Sequence, residues 1–216
     1  MIRLIKQKHK ILDITDDALT LMEYAGRTCT NKVNKMTLDS SEKFVSNLIK
    51  MDHMAMIEFA DLSVEFITDR TVSHELVRHR LASFAQESQR YVKYDVIDFI
   101  LPPWLNEKLL GEWDEKRLQK NHLELTNIEF DYIKDCLYTY SSYHFYIHNG
   151  WKPEQARKKL TGDVATTIIV KANFREWIHI FNLRYKGTTG RPDPTMHVLM
   201  EPLFQEMSEK YNIIFK

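Results

Sequence analysis

Two polar runs hold most of the side chains in this sequence that are able to do chemistry. The first is Arg78-His79-Arg80-Leu81-Ala82-Ser83-Phe84-Ala85-Gln86-Glu87-Ser88-Gln89-Arg90-Tyr91, with three arginines, one histidine, two serines and two glutamines. It is a poor recipe for core and a good one for gripping anions. A guanidinium stays charged at any working pH and presents a planar fork of donors to phosphate or carboxylate oxygens. The second run is Asn173-Phe174-Arg175-Glu176-Trp177-Ile178-His179-Ile180-Phe181-Asn182-Leu183-Arg184. Read as a helix, it places Arg175, His179 and Asn182 on one side and Asn173, Glu176 and Ile180 on another. Arg184 falls near the helix end. Two such segments, well separated in sequence, predict a polyanionic small molecule such as a nucleotide. A serine hydrolase would need more than Ser83 or Ser88 near His79. Glu87 is the one obvious orienting acid, and the arginine excess favours anion binding.

The rest of the chain narrows the choice. Its 216 residues suit one domain, and 44% hydrophobic content supports a packed core. Lys plus Arg and Asp plus Glu balance at 30 each, so the basic run is local. That argues against a general nucleic-acid binder. Two cysteines, Cys29 and Cys136, make no disulfide framework and no zinc spacing; Cys29 is expected to pack. The charged start from Arg3 to Lys10 leads to the expectation of no leader peptide and a cytoplasmic protein. The apolar runs are too short to cross a membrane as helices. Glycine-rich phosphate loops, the His-Glu-x-x-His motif and the Gly-x-Ser-x-Gly elbow are absent from the sequence.

The elements that must position the two runs follow from periodicity and capping. A strand is expected within 2–12, and a helix carrying Ala18, Leu19, Leu21, Met22 and Ala25 after Thr15-Asp16. A second helix starts at Ser40 or Ser41 and ends near Met51. His53, taken alone, reads as a loop histidine. Leu62, Val64 and Phe66 alternate as a strand. A helix from Asp69 or Ser73 through Leu76 and Val77 delivers the chain to Arg78, which continues as a shaped loop. Residues 92–101 read as a strand. Residues 104–148 read as one or two long helices with Leu123, Ile128, Tyr132, Ile133, Leu137 and Tyr140 inside. Tyr138, Tyr140, Tyr143, Phe145 and Tyr146 suit core or a subunit interface. Pro153 opens a helix through Leu160, on which Arg157 reads as a surface charge. Val164 to Val170 is strand-like, Asn173 caps the next helix, and Pro194 opens the last. The expected fold is one domain of mixed α and β.

Arg78-His79-Arg80, seven residues, then Ser88 resembles the defining motif of the flavin-dependent thymidylate synthases, and Arg90-Tyr91 fits as well. His53 with Glu58 resembles an upstream element of that family. Arg157, Asn173-x-Arg175-Glu176-Trp177-x-His179 and Leu183-Arg184 resemble its downstream elements, in order. The resemblance covers most of the chain. It implies an α+β fold with a mixed or antiparallel sheet flanked by long helices, here one domain over residues 1–216. It also implies a homotetramer with sites shared between subunits, and neither nucleic acid nor membrane as partner.

The implied reaction is methylation of dUMP to dTMP, with 5,10-methylenetetrahydrofolate as carbon donor, FAD as redox carrier and NADPH as reductant. By position, Arg78, His79, Arg80, Asn173, Phe174, Arg175 and His179 would hold FAD. His53 and Ala55 would lie beside flavin and folate, and Gln86 between nucleotide and flavin. Glu75, Leu76, Val77, Arg78, Gln86, Glu87, Ser88, Gln89, Arg90 and Arg157 would bind dUMP. Arg184 would activate the uracil ring, and Ser88 would position it. No metal is implied. The sequence departs from the family at Ala55 (often Ser or Thr), Phe59 (often His), Ala85 (often Asn), Gln86 (often Glu) and Thr195–Met200. Two rivals bear naming. A non-enzymatic nucleotide- or RNA-binding module predicts steep salt dependence and no yellow colour. A flavoenzyme of the same fold could instead act on another pyrimidine nucleotide.

Overall fold

The computed structural model describes residues 1–216. Strands β1 (Ile2–Ile5) and β2 (Lys8–Ile14) precede helices α1 (Ala18–Thr28) and α2 (Ser41–Lys50). β3 (Asp61–Asp69) runs straight into α3 (Arg70–Leu76), followed by β4 (Ser83–Gln86), β5 (Ile97–Ile100) and β6 (Gly111–Trp113). Helices α4 (Glu115–Lys120), α5 (Asn127–His148) and α6 (Pro153–Ala156) lead to β7 (Ala165–Asn173), α7 (Phe174–Arg184) and α8 (Pro194–Lys210). One sheet has the order β5-β1-β6 and the other β2-β3-β7-β4. The architecture is α+β, as the sequence pattern and the resemblance implied.

Several expected elements need correction. The strand expected within 2–12 is two strands, broken after Ile5. The first polar run is not all loop, because Ser83–Gln86 forms β4. Of the expected strand over 92–101, only Ile97–Ile100 pairs, with β1. Residues 104–148 hold β6 and the short α4 ahead of α5. Leu123 is 94% exposed in a single 3-10 turn. Ile128 is 73% exposed because the inward stripe of α5 starts one residue later, at Glu129, and continues through Ile133, Cys136 and Leu137.

The chain forms two compact units. The first comprises residues 1–8, 66–76 and 85–168. In it β1 pairs parallel to β5 (Ile2 opposite Ile97) and antiparallel to β6 (Ile2 opposite Trp113). Ile2, Leu4, Phe99, Trp113, Ile133 and Tyr143 are among its buried side chains. Each large one contributes about 1.5–3 kcal/mol by leaving water. A capping box starts α5: Thr126 Oγ1 accepts from Glu129 N–H, and the Glu129 carboxylate accepts from Thr126 N–H.

The second unit comprises residues 9–65, 77–84 and 169–216. α1 and α2 are clasped by the fully buried Glu23, which accepts from Arg27 Nε at 2.6 Å and Ser40 Oγ at 2.8 Å. Gly26 permits close packing, since a Cβ there would lie 2.7 Å from the Phe44 ring. Trp177, Ile180 and Phe181 of α7 are buried, and Trp177 Nε1 donates to Leu62 O at 3.0 Å. Phe174 packs on Phe215 and Phe181 on Phe204, with ring centroids 5.3 Å apart in both pairs. α7 is therefore held along one side, leaving the other for chemistry.

Candidate active site

Asn173 sets the position of α7. Its backbone is still extended (φ −72°, ψ 164°), and its Oδ1 accepts from Glu176 N–H at 2.9 Å. This is the N-cap predicted from the sequence. With Trp177, Ile180 and Phe181 turned inward, Arg175, His179 and Asn182 must turn outward. They line a cavity of about 640 Å³ together with Met54, Leu81 and Ile178. The predicted helix side is thus real, and it faces a cavity of the size that holds small ligands. Arg175 Nη1 donates to the Glu58 carboxylate at 2.6 Å, an exposed pair that a ligand anion could displace at little cost.

A second cavity, about 800 Å³, also touches Arg175 and Met54 and brings in His53, Ala55, Phe44 and Cys29. His53 is the residue preceding a 3-10 helix, Met54–Phe59, and is exposed. The structure thus brings His53, Ala55 and Arg175 together. Cys29 was expected to pack, but it is exposed. It sits just past the end of α1, with its thiol hydrogen-bonded to Ala25 O at 3.6 Å.

Under the polar face of α7 lies a chain of three side chains, two buried and the third, Arg184, half-buried. Arg184 Nε donates to His79 Nε2 at 3.1 Å. His79 Nδ1 is 3.3 Å from Glu176 Oε1. His79 is 4% and Glu176 6% exposed. Because Nε2 accepts, the single proton of neutral imidazole must sit on Nδ1 and be donated to Glu176. The surroundings favour that neutral form. Burial first, then the charges of Arg184 and His179, lower His79 from 6.5 to about 4. Burial raises the Glu176 carboxyl, opposed by His179. His79, Glu176 and His179 offer atoms within 4.8 Å of one another, a spacing a metal could use. Arg184 already occupies the lone pair of His79 Nε2, so a cation would have to displace one guanidinium contact and compete with its charge.

The neighbouring residues of the motif are placed differently. Arg78 and Arg80 are exposed, as is Val77. Phe174 is fully buried against Tyr211 and Phe215, so its side chain faces the core and only its backbone is left for a ligand. Leu76 is likewise fully buried.

In the other unit, the nucleotide-binding candidates sit in a tight polar web. Gln86 Nε2 donates to Ser73 Oγ at 2.8 Å and to Thr166 Oγ1 at 3.3 Å. Arg70 Nη1 donates to Glu87 O and to Thr166 Oγ1, both at 3.2 Å. The Glu87 carboxylate accepts a short hydrogen bond from Tyr94 Oη. Burial and that carboxylate push the Tyr94 phenol above its ordinary range. Ser88 Oγ accepts from Arg90 N–H at 3.3 Å, and Ser88 O accepts from Tyr91 and Val92 N–H at 3.1 Å. Ser88 therefore shapes a turn. Gln89 Nε2 is buried without a partner, while Arg157 and Arg90 are exposed and Glu75 is half-buried. Glu176, Arg70, Ser73, Thr166 and Tyr94 were not among the predicted site residues. Only Glu176 carried a signal, as the third residue after a predicted Asn cap.

A family model described as "Thymidylate synthase complementing protein" matches residues 10–211. The chain is 27% identical to a flavin-dependent thymidylate synthase of Corynebacterium diphtheriae, over 95% of this chain and 81% of that one. It is 30% identical to the enzyme of the same description in Clostridium tetani, over 82% and 74%. Among solved structures, the UMP/dUMP methylase PolB of Streptomyces cacaoi, bound with 5-Br dUMP, superposes with a TM-score of 0.76 at 16% identity, covering 99% of this chain and 95% of that one. Thymidylate synthase X of Helicobacter pylori, with FAD and dUMP, gives 0.73 at 17% identity, covering 97% of each. The fold is therefore the one these two solved structures share. The chain belongs to the flavin-dependent thymidylate synthase family.

Proposed function

We propose that this protein methylates dUMP to dTMP, using 5,10-methylenetetrahydrofolate as carbon source, NADPH as reductant and FAD as resident cofactor. The observation that carries the reading is the α7 face: Arg175, His179 and Asn182 line a cavity of about 640 Å³ in a chain of this family. The donor set fits a flavin nucleotide. Asn173, Arg175, His179 and Asn182 offer cationic and neutral donors, while Met54, Leu81 and Ile178 supply an apolar floor. Arg78 and Arg80 are exposed and free to swing toward phosphates, and His53 and Ala55 approach from the adjoining cavity. FAD, when bound, carries the hydride taken from NADPH.

The chain's own residues would do the rest. Gln86, Glu87, Ser88, Gln89, Arg90, Arg157 and the segment Glu75–Arg78 would bind dUMP. The buried, unpartnered Gln89 Nε2 is a donor awaiting an oxygen, since such groups are costly to leave unmet. Arg184 would activate the substrate. The uracil ring becomes nucleophilic at C5 as negative charge builds on N3 and its carbonyl oxygens, and a fixed guanidinium stabilises that charge. Ser88 would position dUMP, because its hydroxyl accepts from Arg90 N–H in a turn and the run around it in sequence carries arginines rather than a general base. Burial pushes the Cys136 thiol well above its ordinary range, which disfavours a thiolate nucleophile there. The family match crosses both compact units, which supports residues 1–216 acting as one functional domain. A homotetramer with shared sites suits the exposed Tyr138 and Phe145 of α5.

The test is a pair of variants assayed for dTMP and for bound flavin. Arg184→Ala should lose methyl transfer and keep FAD. Ser88→Ala should keep measurable activity. An inactive Ser88→Ala protein that still binds dUMP sinks the positioning role. An active Arg184→Ala protein sinks the activation role.

A further inference from the structure

We propose that Glu176 is a positioning residue: acting through His79, it fixes the imidazole tautomer and so the direction in which the Arg184 guanidinium is held. The inference rests on the activating role given to Arg184 above. Glu176 is 6% exposed, at the edge of the α7 cavity with most of its side chain turned into the protein. It is one turn from His179 and contacts His79 at 3.3 Å. His79 in turn contacts Arg184 at 3.1 Å. The order carboxylate, imidazole, guanidinium has only one consistent proton arrangement. Arg184 cannot accept a hydrogen bond, so His79 Nε2 must be the bare nitrogen and Nδ1 must carry the proton. An Nδ1–H pointing into a buried space needs an acceptor, and Glu176 supplies it. The ring is thereby held at both nitrogens. Only in that tautomer can it accept from Arg184 Nε, which sets the direction of the guanidinium terminus.

A purely structural role for Glu176, as an acid in the first turn of a helix, predicts a different outcome. Such an acid adds stability through the helix dipole, and its removal leaves catalysis in the folded protein unchanged. The two readings separate with Glu176→Gln and Glu176→Leu. The Gln carbonyl oxygen can accept from Nδ1–H as the carboxylate does. Leu fills the space and accepts nothing.

The first readout is independent of activity: 15N spectra of histidine-labelled, flavin-free protein, with His79 assigned by comparison with His79→Gln. The wild type and Glu176→Gln should show His79 neutral near pH 7, with the proton on Nδ1. Glu176→Leu should show mixed tautomers. The second readout is steady-state kinetics. Glu176→Leu should lower kcat about tenfold or more, the scale seen when an outer partner of a functional histidine is removed. Its KM for dUMP and its FAD content should stay within about twofold of wild type, and Glu176→Gln should stay close to wild type in kcat. A wild-type His79 protonated on Nε2 overturns the proposal, as does a folded Glu176→Leu protein with wild-type kcat. Equal loss in Glu176→Gln and Glu176→Leu also overturns it, since charge rather than tautomer would then matter. If Glu176→Leu does not fold, the wild-type tautomer and the kcat of Glu176→Gln decide. A wild type that forms no dTMP while His79 shows the expected tautomer refutes the proposed reaction, not the positioning.

Discussion

Replacing His79 with Gln removes a titrating group while keeping its hydrogen bonds. The Gln Nε2 can donate to Glu176 and its Oε1 can accept from Arg184, as Nδ1–H and Nε2 of the histidine do. In the native chain His79 is lowered from 6.5 to about 4, by burial, Arg184 and His179. Below pH 6.5 the unfolded chain takes up a proton here that the native chain refuses. Stability therefore falls as pH drops from about 6.5 to about 4, and below that range the full loss is in place. Above pH 6.5 both states are neutral and the site adds no pH dependence. At about 1.4 kcal/mol for each tenfold change in proton affinity, the loss is about 3 kcal/mol. Glu176 works in the opposite sense, because burial raises its carboxyl and its native form takes up a proton first. It is present in both proteins and largely cancels in their difference. The assay is urea unfolding of both proteins without flavin, from pH 7.5 to pH 4. The variant should gain about 3 kcal/mol on the wild type by pH 4. Parallel stability curves would refute the claim that the buried His79 is held neutral between Glu176 and Arg184.

Two further perturbations separate structure from function. Arg175→Ala breaks an exposed pair with Glu58 and should change stability by no more than about 1 kcal/mol; isothermal titration should show FAD affinity falling about tenfold or more, the 1.5–3 kcal/mol of a charge-assisted contact. Gly26→Ala places a Cβ 2.7 Å from the Phe44 ring and should cost about 1–3 kcal/mol, read as a lower melting temperature.

Much of the site was legible because its signals are local. Asn173 announces a cap, and spacings of three and four put Arg175, His179 and Asn182 on one face whatever the rest of the chain does. The Arg78-His79-Arg80 motif needs no structure to be seen. What the sequence hid depends on distant partners. Ser83–Gln86 is too short and polar to declare itself a strand, and it becomes one only in a sheet beside β7. Gly111–Trp113 pairs with β1 from about half the chain length away, Ile2 lying opposite Trp113. The family resemblance assigned His79 to the flavin, and nothing local in the sequence showed its partners in the folded chain. Its hydrogen-bond partners are Glu176 and Arg184, 97 and 105 residues away. Ile128 and Leu123 were misplaced because residues 104–148 were read as one or two long helices, whereas His122–Glu124 is a 3-10 turn and the long helix starts only after its cap at Thr126.

The measurement that bears most directly on the whole account is the visible spectrum of the purified protein under anaerobic conditions. A flavin band should be present or loadable with FAD, and it should bleach with NADPH. Adding 5,10-methylenetetrahydrofolate with dUMP should restore it in part while dTMP forms. A colourless protein that cannot be loaded with FAD would contradict the account, as would a bleached flavin that folate and dUMP together never reoxidise.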